Sequence, residues 1–190
     1  MATETTPLSG SRSRTQNAIL AAAATVLAKN PAATMPEIAE AAAVGRTTVH
    51  RYFADRQTLI RAATADAIQA VNRAIDDAAP EQGSALDATR RVIAAMVSMS
   101  DRILFLYGDP RVLAHYPDLG MPAAEPVLRL IERGQAEGAY DTELSATWIQ
   151  QSLWALVCRG CEAAERGELP RHEVARVVAR TLEGGIRAPG

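Results

Sequence analysis

Two short helix-forming segments, Thr34–Ala42 and Arg46–Tyr52, are separated by a break at Val44-Gly45. Isolated helices of one or two turns are not stable in water. Such segments persist only when they pack on each other and on a longer partner. The partners are at hand on both sides. Upstream, Ile19, Ala22, Ala23, Val26 and Leu27 fall at i, i+3, i+4, i+7 and i+8, an amphipathic helical stripe. Thr15 is placed to cap that helix, and Asn30-Pro31 ends it. Thr34-Met35-Pro36-Glu37 follows the T-x-x-E capping-box pattern, with Ile38 and Ala42 facing inward. Downstream, Asp55 is positioned to cap a long helix in which Ile60, Ala63, Ala67, Val71 and Ala74 keep the helical period to about Ala78. One long helix followed by two short helices across a tight turn is the pattern of a helix-turn-helix.

The rest of the chain reads as further helices near Ala85–Ser98, Arg102–Tyr107, Pro122–Glu137, Leu144–Arg166 and Arg171–Glu183. The stretch Ala79–Ser84 is the clearest linker. Gly108-Asp109-Pro110 and His115–Pro122 read as breaks. Apolar residues make up 48% of the 190, largely Ala, with aromatics at 4%, which favours helices over strands. The expected fold is therefore all-α, with about nine helices. A three-helix head precedes a helical-bundle body. The expected boundaries are a flexible tail at residues 1–13, a helix-turn-helix head at 14–56 and a helical body at 57–190.

Charge separates the same two parts. Residues 1–56 carry six basic against four acidic side chains, and the remainder fourteen against eighteen. A mildly basic head on an acidic body directs a polyanion to the head alone. No signal peptide is visible, and no stretch approaches the length of a membrane span, so a cytoplasmic location away from membranes is expected. Cys158 and Cys161 are too few and too close for a disulfide framework. As a C-x-x-C pair on a helix they read as packing, or else as a redox or metal pair. The three histidines, His50, His115 and His172, form no second cluster, so neither a metal nor a cofactor is expected. No nucleophile elbow, zinc-protease, phosphate-loop or dinucleotide motif is present, so no enzyme is expected.

The stretch TMPEIAEAAAVGRTTVHRYFADRQTLI, residues 34–60, resembles the DNA-binding head of the tetracycline-repressor (TetR) family of transcriptional regulators. The resemblance rests on the E-I-A-E-A helix, the V-G-R-T-T turn, the pair Tyr52-Phe53 and the D-R-Q-T-L-I start of the next helix. It implies a recognition helix at about Arg46–Phe53 in the major groove of double-stranded DNA, on a palindromic operator. Arg46, Thr47, Thr48 and Arg51 would lie on or near its exposed face. Arg can donate two hydrogen bonds to guanine, and Thr can meet a base edge or a phosphate. Tyr52 and Arg56 stand where the family has phosphate contacts, and Thr34 could both cap and touch phosphate. Ile38, Val49 and Phe53 should be core. The chain departs from the family at His50, where Tyr is usual, at Ala43, where Gly is common, and at Gly45, where Ser or Asp often caps. Each position has a plainer reading too: a solvated arginine face, a cap alone at Thr34, a packing ring at Tyr52. Arg12 and Arg14 either touch the DNA backbone or belong to a loose tail.

The resemblance further implies a homodimer and a small-molecule effector held in the body, the chain acting as a repressor released by that effector. From Trp148 to Cys158 the helix is apolar nearly all round, so it needs more than one partner. The expected dimer interface is Trp148, Ile149, Leu153, Leu156 and Val157 with Val174, Val177, Val178 and Leu182 of the final helix. A self-contained monomer core is the alternative. Candidate pocket residues are Met96, Met99, Phe105, Tyr107, His115, Met121, Leu128 and Trp154, side chains that suit an adaptable apolar cavity or an ordinary core. A helical interaction module, or a small-molecule-binding protein without DNA readout, is the competing function.

Overall fold

The computed structural model describes residues 8–122 and 124–186. Every element among them is helical: α1 (Leu8–Lys29), α2 (Met35–Ala41), α3 (Arg46–Tyr52), α4 (Arg56–Asp77), α5 (Ala85–Ser98), α6 (Ser100–Tyr107), α7 (Pro110–His115), α8 (Ala124–Ala136), α9 (Ala146–Glu165) and α10 (Val174–Ile186), with single 3-10 turns at Pro117–Leu119 and Arg171–Glu173. This is the expected all-α fold, with one helix more than the sequence pattern suggests. The addition is α7. Gly108-Asp109-Pro110 reads as a break, but Asp109 accepts a hydrogen bond from the Arg111 N–H and Pro110 sits in the first turn. Proline is tolerated there because that turn has no internal use for its missing N–H. The same three residues end one helix and start the next.

A second correction concerns the N-terminus. α1 begins at Leu8, so residues 8–13 continue the helix that the sequence starts at a Thr15 cap, and residues 1–7 lie outside the described residues. Leu8, Arg12 and the serines between them extend an existing helix at small cost, and Gly10 is the one unfavourable residue in the added turns. The Arg14 Nε–H here returns to the Gly10 carbonyl, 3.2 Å away.

The head core is built from Ile19, Ala23 and Leu27 of α1, Ile38 of α2, Val49 and Phe53 beside α3, and Leu59 of α4, all buried. α1 packs on α2, α4 and α6, and α6 in turn touches α4, α5, α7 and α9. The body closes at two glycines. A Cβ on Gly134 would stand 2.3 Å from the Tyr140 ring, and one on Gly160 2.9 Å from Val174 and Val178. The second approach seats α10 against α9. Ile149, Leu153 and Val157 of α9 and Val174, Val178 and Leu182 of α10 are consequently buried inside the protomer. This corrects six of the nine expected dimer-interface residues, which close the protomer's own core. In both helices they lie at i, i+4 and i+8, one inward stripe. In a helix that is apolar nearly all round, sequence alone does not mark which stripe turns inward. Trp148 remains 59% exposed, and Leu156 and Val177 are half-buried.

The loop joining α4 to α5 is held by two side chains. Arg91 donates to the carbonyls of Ala78, Ala79 and Gln82 at 2.6–2.9 Å, and Arg133 to those of Pro80, Glu81 and Gly83 at 2.8–3.3 Å. Six consecutive carbonyls thus meet two guanidinium forks. The segment that reads as the clearest linker is clamped from both sides.

Candidate nucleic-acid interface

The interface is assembled by caps. At the start of α2 the Thr34 N–H donates to Glu37 Oε2 at 2.7 Å, and the Glu37 N–H reaches Thr34 Oγ1 at 3.5 Å, a complete capping box. The Thr34 hydroxyl also donates to the Glu37 carboxylate at 2.6 Å. These bonds hold the Glu37 carboxyl below its ordinary range. α2 then ends in a Schellman arrangement. The Val44 N–H donates to the Ala39 carbonyl at 3.0 Å and the Ala43 N–H to the Glu40 carbonyl at 2.9 Å. This closure needs a left-handed residue, and Ala43 takes it with φ +52°. The turn keeps the geometry that glycine usually supplies, at the steric expense of a Cβ.

Gly45 precedes α3 in an extended conformation and offers no side-chain cap. Val49 and the adjoining Phe53 anchor α3 to the core. That anchorage turns Arg46, Thr47, His50 and Arg51 to solvent, with Thr48 half-buried beside them. The exposed face of α3 carries two guanidiniums, an imidazole and a hydroxyl and no carboxylate. It can present donors to base edges and phosphates without like-charge repulsion. Asp55 caps α4 through the Thr58 N–H at 2.7 Å, and that bond is the first cause of its lowered carboxyl pKa.

Tyr52 is half-buried and lies beneath two cations: the Arg51 guanidinium is 5.5 Å from its ring centre and that of Arg12 5.9 Å. Arg12, left open between DNA contact and loose tail in the sequence, is therefore brought by the extended α1 to the same patch as α3. The missing signal was the length of α1. Arg56 is used differently from the expectation. Its Nε–H donates to the Ala33 carbonyl at 3.0 Å and its Nη2 to the Pro31 carbonyl at 2.6 Å. The fork ties the α1–α2 loop to the start of α4.

The eight candidate pocket residues do not form one site. Phe105 and His115 line a cavity of about 600 Å³ between α1, the α1–α2 loop, the start of α4, and α6–α7. Tyr107 stacks on Trp154 with ring centres 5.1 Å apart, elsewhere in the body, and its buried hydroxyl has no hydrogen-bond partner among the described residues. Met96 is core, Met99 and Leu128 are half-buried, and Met121 is 56% exposed. Sequence reasoning missed most of the cavity wall, including Gln57, Ile60 and Val112, because it gathers from four separate segments. Burial pushes the Cys158 thiol up to about 12 and Cys161 up to about 11, which favours the protonated thiol of each at neutral pH. No described helix is long and apolar enough to cross a membrane.

Comparison with known proteins agrees with this geometry. Residues 19–63 match the model of the bacterial regulatory proteins of the tetR family. The chain is 38% identical over 183 residues, 94% of its length and 93% of the relative's, to the HTH-type transcriptional repressor LfrR of Mycolicibacterium smegmatis. It is 24% identical, over 90% of its length and 94% of the relative's, to the HTH-type transcriptional regulator NfxB of Pseudomonas aeruginosa. Its fold superposes on the crystal structure of LfrR from Mycobacterium smegmatis in complex with proflavine with a TM-score of 0.78, at 36% identity over 94% of this chain and 99% of that one. With its capped helix-turn-helix, its carboxylate-free α3 face and these relatives, the chain belongs to the TetR family and is a DNA-binding transcriptional regulator.

Proposed function

We propose that this chain is a dimeric repressor of the cytoplasm, without enzymatic activity, released from a palindromic operator by a small aromatic effector. The observation that carries the reading is the α3 face, anchored by Val49 and Phe53 and free of carboxylates. Arg46 and Arg51 read base edges, with Thr47, Thr48 and His50 completing the face. Tyr52, with Arg12 and Arg51 over its ring, holds the phosphate backbone. Thr34 acts as a cap, since its hydroxyl proton is engaged by Glu37. Arg56 is a positioning residue, since its fork holds the α1–α2 loop. The head extends through residue 56 and the body begins at 57, with α4 common to both.

A single head spans roughly one half-site, so two copies set their recognition helices ~34 Å apart. Trp148, Leu156 and Val177 on the outer sides of α9 and α10 supply the surface for the second copy, because an indole exposed to this extent gains from burial. The effector class follows from LfrR, which has been crystallised with proflavine.

The test is selection of bound duplexes from a genomic fragment pool at near-physiological salt. Enrichment of a palindrome, and its release by proflavine, are expected. Arg46→Ala and Arg51→Ala should change base preference by ~10–100-fold at the contacted position. Arg56→Ala should weaken binding while leaving the salt slope unchanged, whereas a phosphate contact would lower that slope by about one. No enrichment from ligand-free protein would favour a helical module without DNA readout.

A further inference from the structure

The cavity of about 600 Å³ lies at the junction of head and body, away from the Tyr107–Trp154 stack. Its head side is the end of α1, Pro31 and Ala32 of the α1–α2 loop, and the first turn of α4. Its body side is the end of α6, the Gly108-Asp109 break, one face of α7 and Tyr116 just beyond it. The volume is that of a site for a drug-sized molecule. Leu27, Ile60, Leu104 and Val112 make the walls apolar, and Phe105 and Tyr116 add two rings.

The charges on the wall are already matched. Arg56 is bound to two backbone carbonyls. Arg111 meets Asp109 through Nε at 3.0 Å and Nη2 at 2.9 Å. An ionic ligand would find each of these charges already partnered, whereas a neutral one needs no counter-charge from the wall. The rim carries polar side chains, where Gln57 Nε2 and His115 Nε2 meet in a long, exposed hydrogen bond of 3.4 Å that a ligand group can replace. We propose that this junction is a binding site for an uncharged, largely apolar aromatic molecule carrying one hydrogen-bonding group, and that its occupancy is coupled to DNA binding.

The coupling follows from which parts form the wall. Pro31 and Ala32 lie immediately before the Thr34 cap of α2, and the Pro31 carbonyl is one end of the Arg56 tie. An occupant pressing on this loop shifts α2 and, through the α2–α3 turn, the recognition helix. The coupling is reciprocal, so the operator lowers ligand affinity by the factor by which the ligand lowers operator affinity. The effector response rests on the repressor reading above, while the site itself does not.

N-phenyl-1-naphthylamine is a suitable probe: neutral, apolar, with one N–H, and fluorescent when it leaves water. Titrated into the full chain, it should bind saturably. Val112→Trp and Ala28→Trp each fill the cavity from a different helix and should weaken it at least ~10-fold, while Trp154→Phe leaves it unchanged. Helical circular dichroism and the thermal midpoint, unchanged from the wild type, verify that each filled variant is folded. In the wild type the probe should lower operator affinity by about ten-fold, and operator should lower probe affinity equally. Equal probe affinity in the wild type and both filled variants, loss in Trp154→Phe alone, or no binding to the wild type would overturn the site. Release by proflavine from both wild type and Val112→Trp, with probe binding indifferent to the filling, would leave the repressor reading standing and remove this site. Probe binding at the junction without release by proflavine would do the reverse.

Discussion

The head and the body are held together over different distances along the chain. In the head the helix ends are set by local bonds, and the Arg56 tie is the long-range exception. Thr34 meets Glu37, Asp55 meets Thr58, and the Schellman closure spans Ala39 to Val44. In the body the decisive contacts join distant residues. Arg133 reaches the carbonyls of Pro80, Glu81 and Gly83, Tyr140 bonds Thr89 at 2.5 Å and the Ala85 carbonyl at 3.0 Å, and Gly160 admits Val174 and Val178. A head made of local bonds can keep its shape while the bundle beneath it varies. A body made of distant contacts is shaped by whichever side chains fill it.

The contrast is tested most severely by Gly134→Val. The new side chain must expel the Tyr140 ring, breaking its bonds to Thr89 and Ala85, so a loss of about 3 kcal/mol is expected. Denaturant unfolding followed by helical circular dichroism measures it. A loss confined to the body's transition supports the division, and equal loss in both parts would show one cooperative unit.

The head's counterpart is smaller. Thr34→Ala removes one cap and should cost about 1 kcal/mol, read as weaker DNA binding and earlier melting of the head. Acid provides a second view of the same bond. The Glu37 and Asp55 carboxyls are held below their ordinary values of 4.5 and 3.8 by hydrogen bonds in the folded head. Folded values below unfolded ones mean stabilisation that is complete above those ordinary values and lost as pH falls through the folded ones. Head helicity should therefore fall below about pH 4. The pH dependence should shrink in Thr34→Ala, and an unchanged acid transition there would count against the Glu37 contribution.

The smallest effect is symmetrical. Ala43 in the head turn and Ala79 in the α4–α5 loop both have positive φ, at 52° and 50°. Ala43→Gly and Ala79→Gly should each gain roughly 0.5 kcal/mol, since relief of the Cβ clash exceeds the added freedom of the unfolded chain. Gain at Ala43 with none at Ala79 would mean that the two arginines already absorb the strain of the loop.

The same division explains what could be read beforehand. The capping box, the α3 boundaries, the Asp55 cap and the buried Ile38 were legible because each is a short-range pattern, and the buried Val49 and Phe53 through the family resemblance of that stretch. The structural tie made by Arg56 was not legible, since its acceptors are carbonyls 23 and 25 residues away. The inward stripes of α9 and α10 and the junction cavity were not legible. Both depend on how helices dock, and Met96 and Met121, similar in sequence, end in the core and in solvent.

The double arginine clamp on residues 78–83 has a mechanical consequence. α4 has 22 residues and is about 33 Å long, with Arg56 tied to the head at one end and the clamped loop at the other. With its far end fixed, the helix is a lever with its fulcrum at the clamp. A tilt of about 5° there sweeps the head end through about 3 Å, comparable to a hydrogen-bond length. Loosening the fulcrum would let the same displacement dissipate in the loop before it reached the groove.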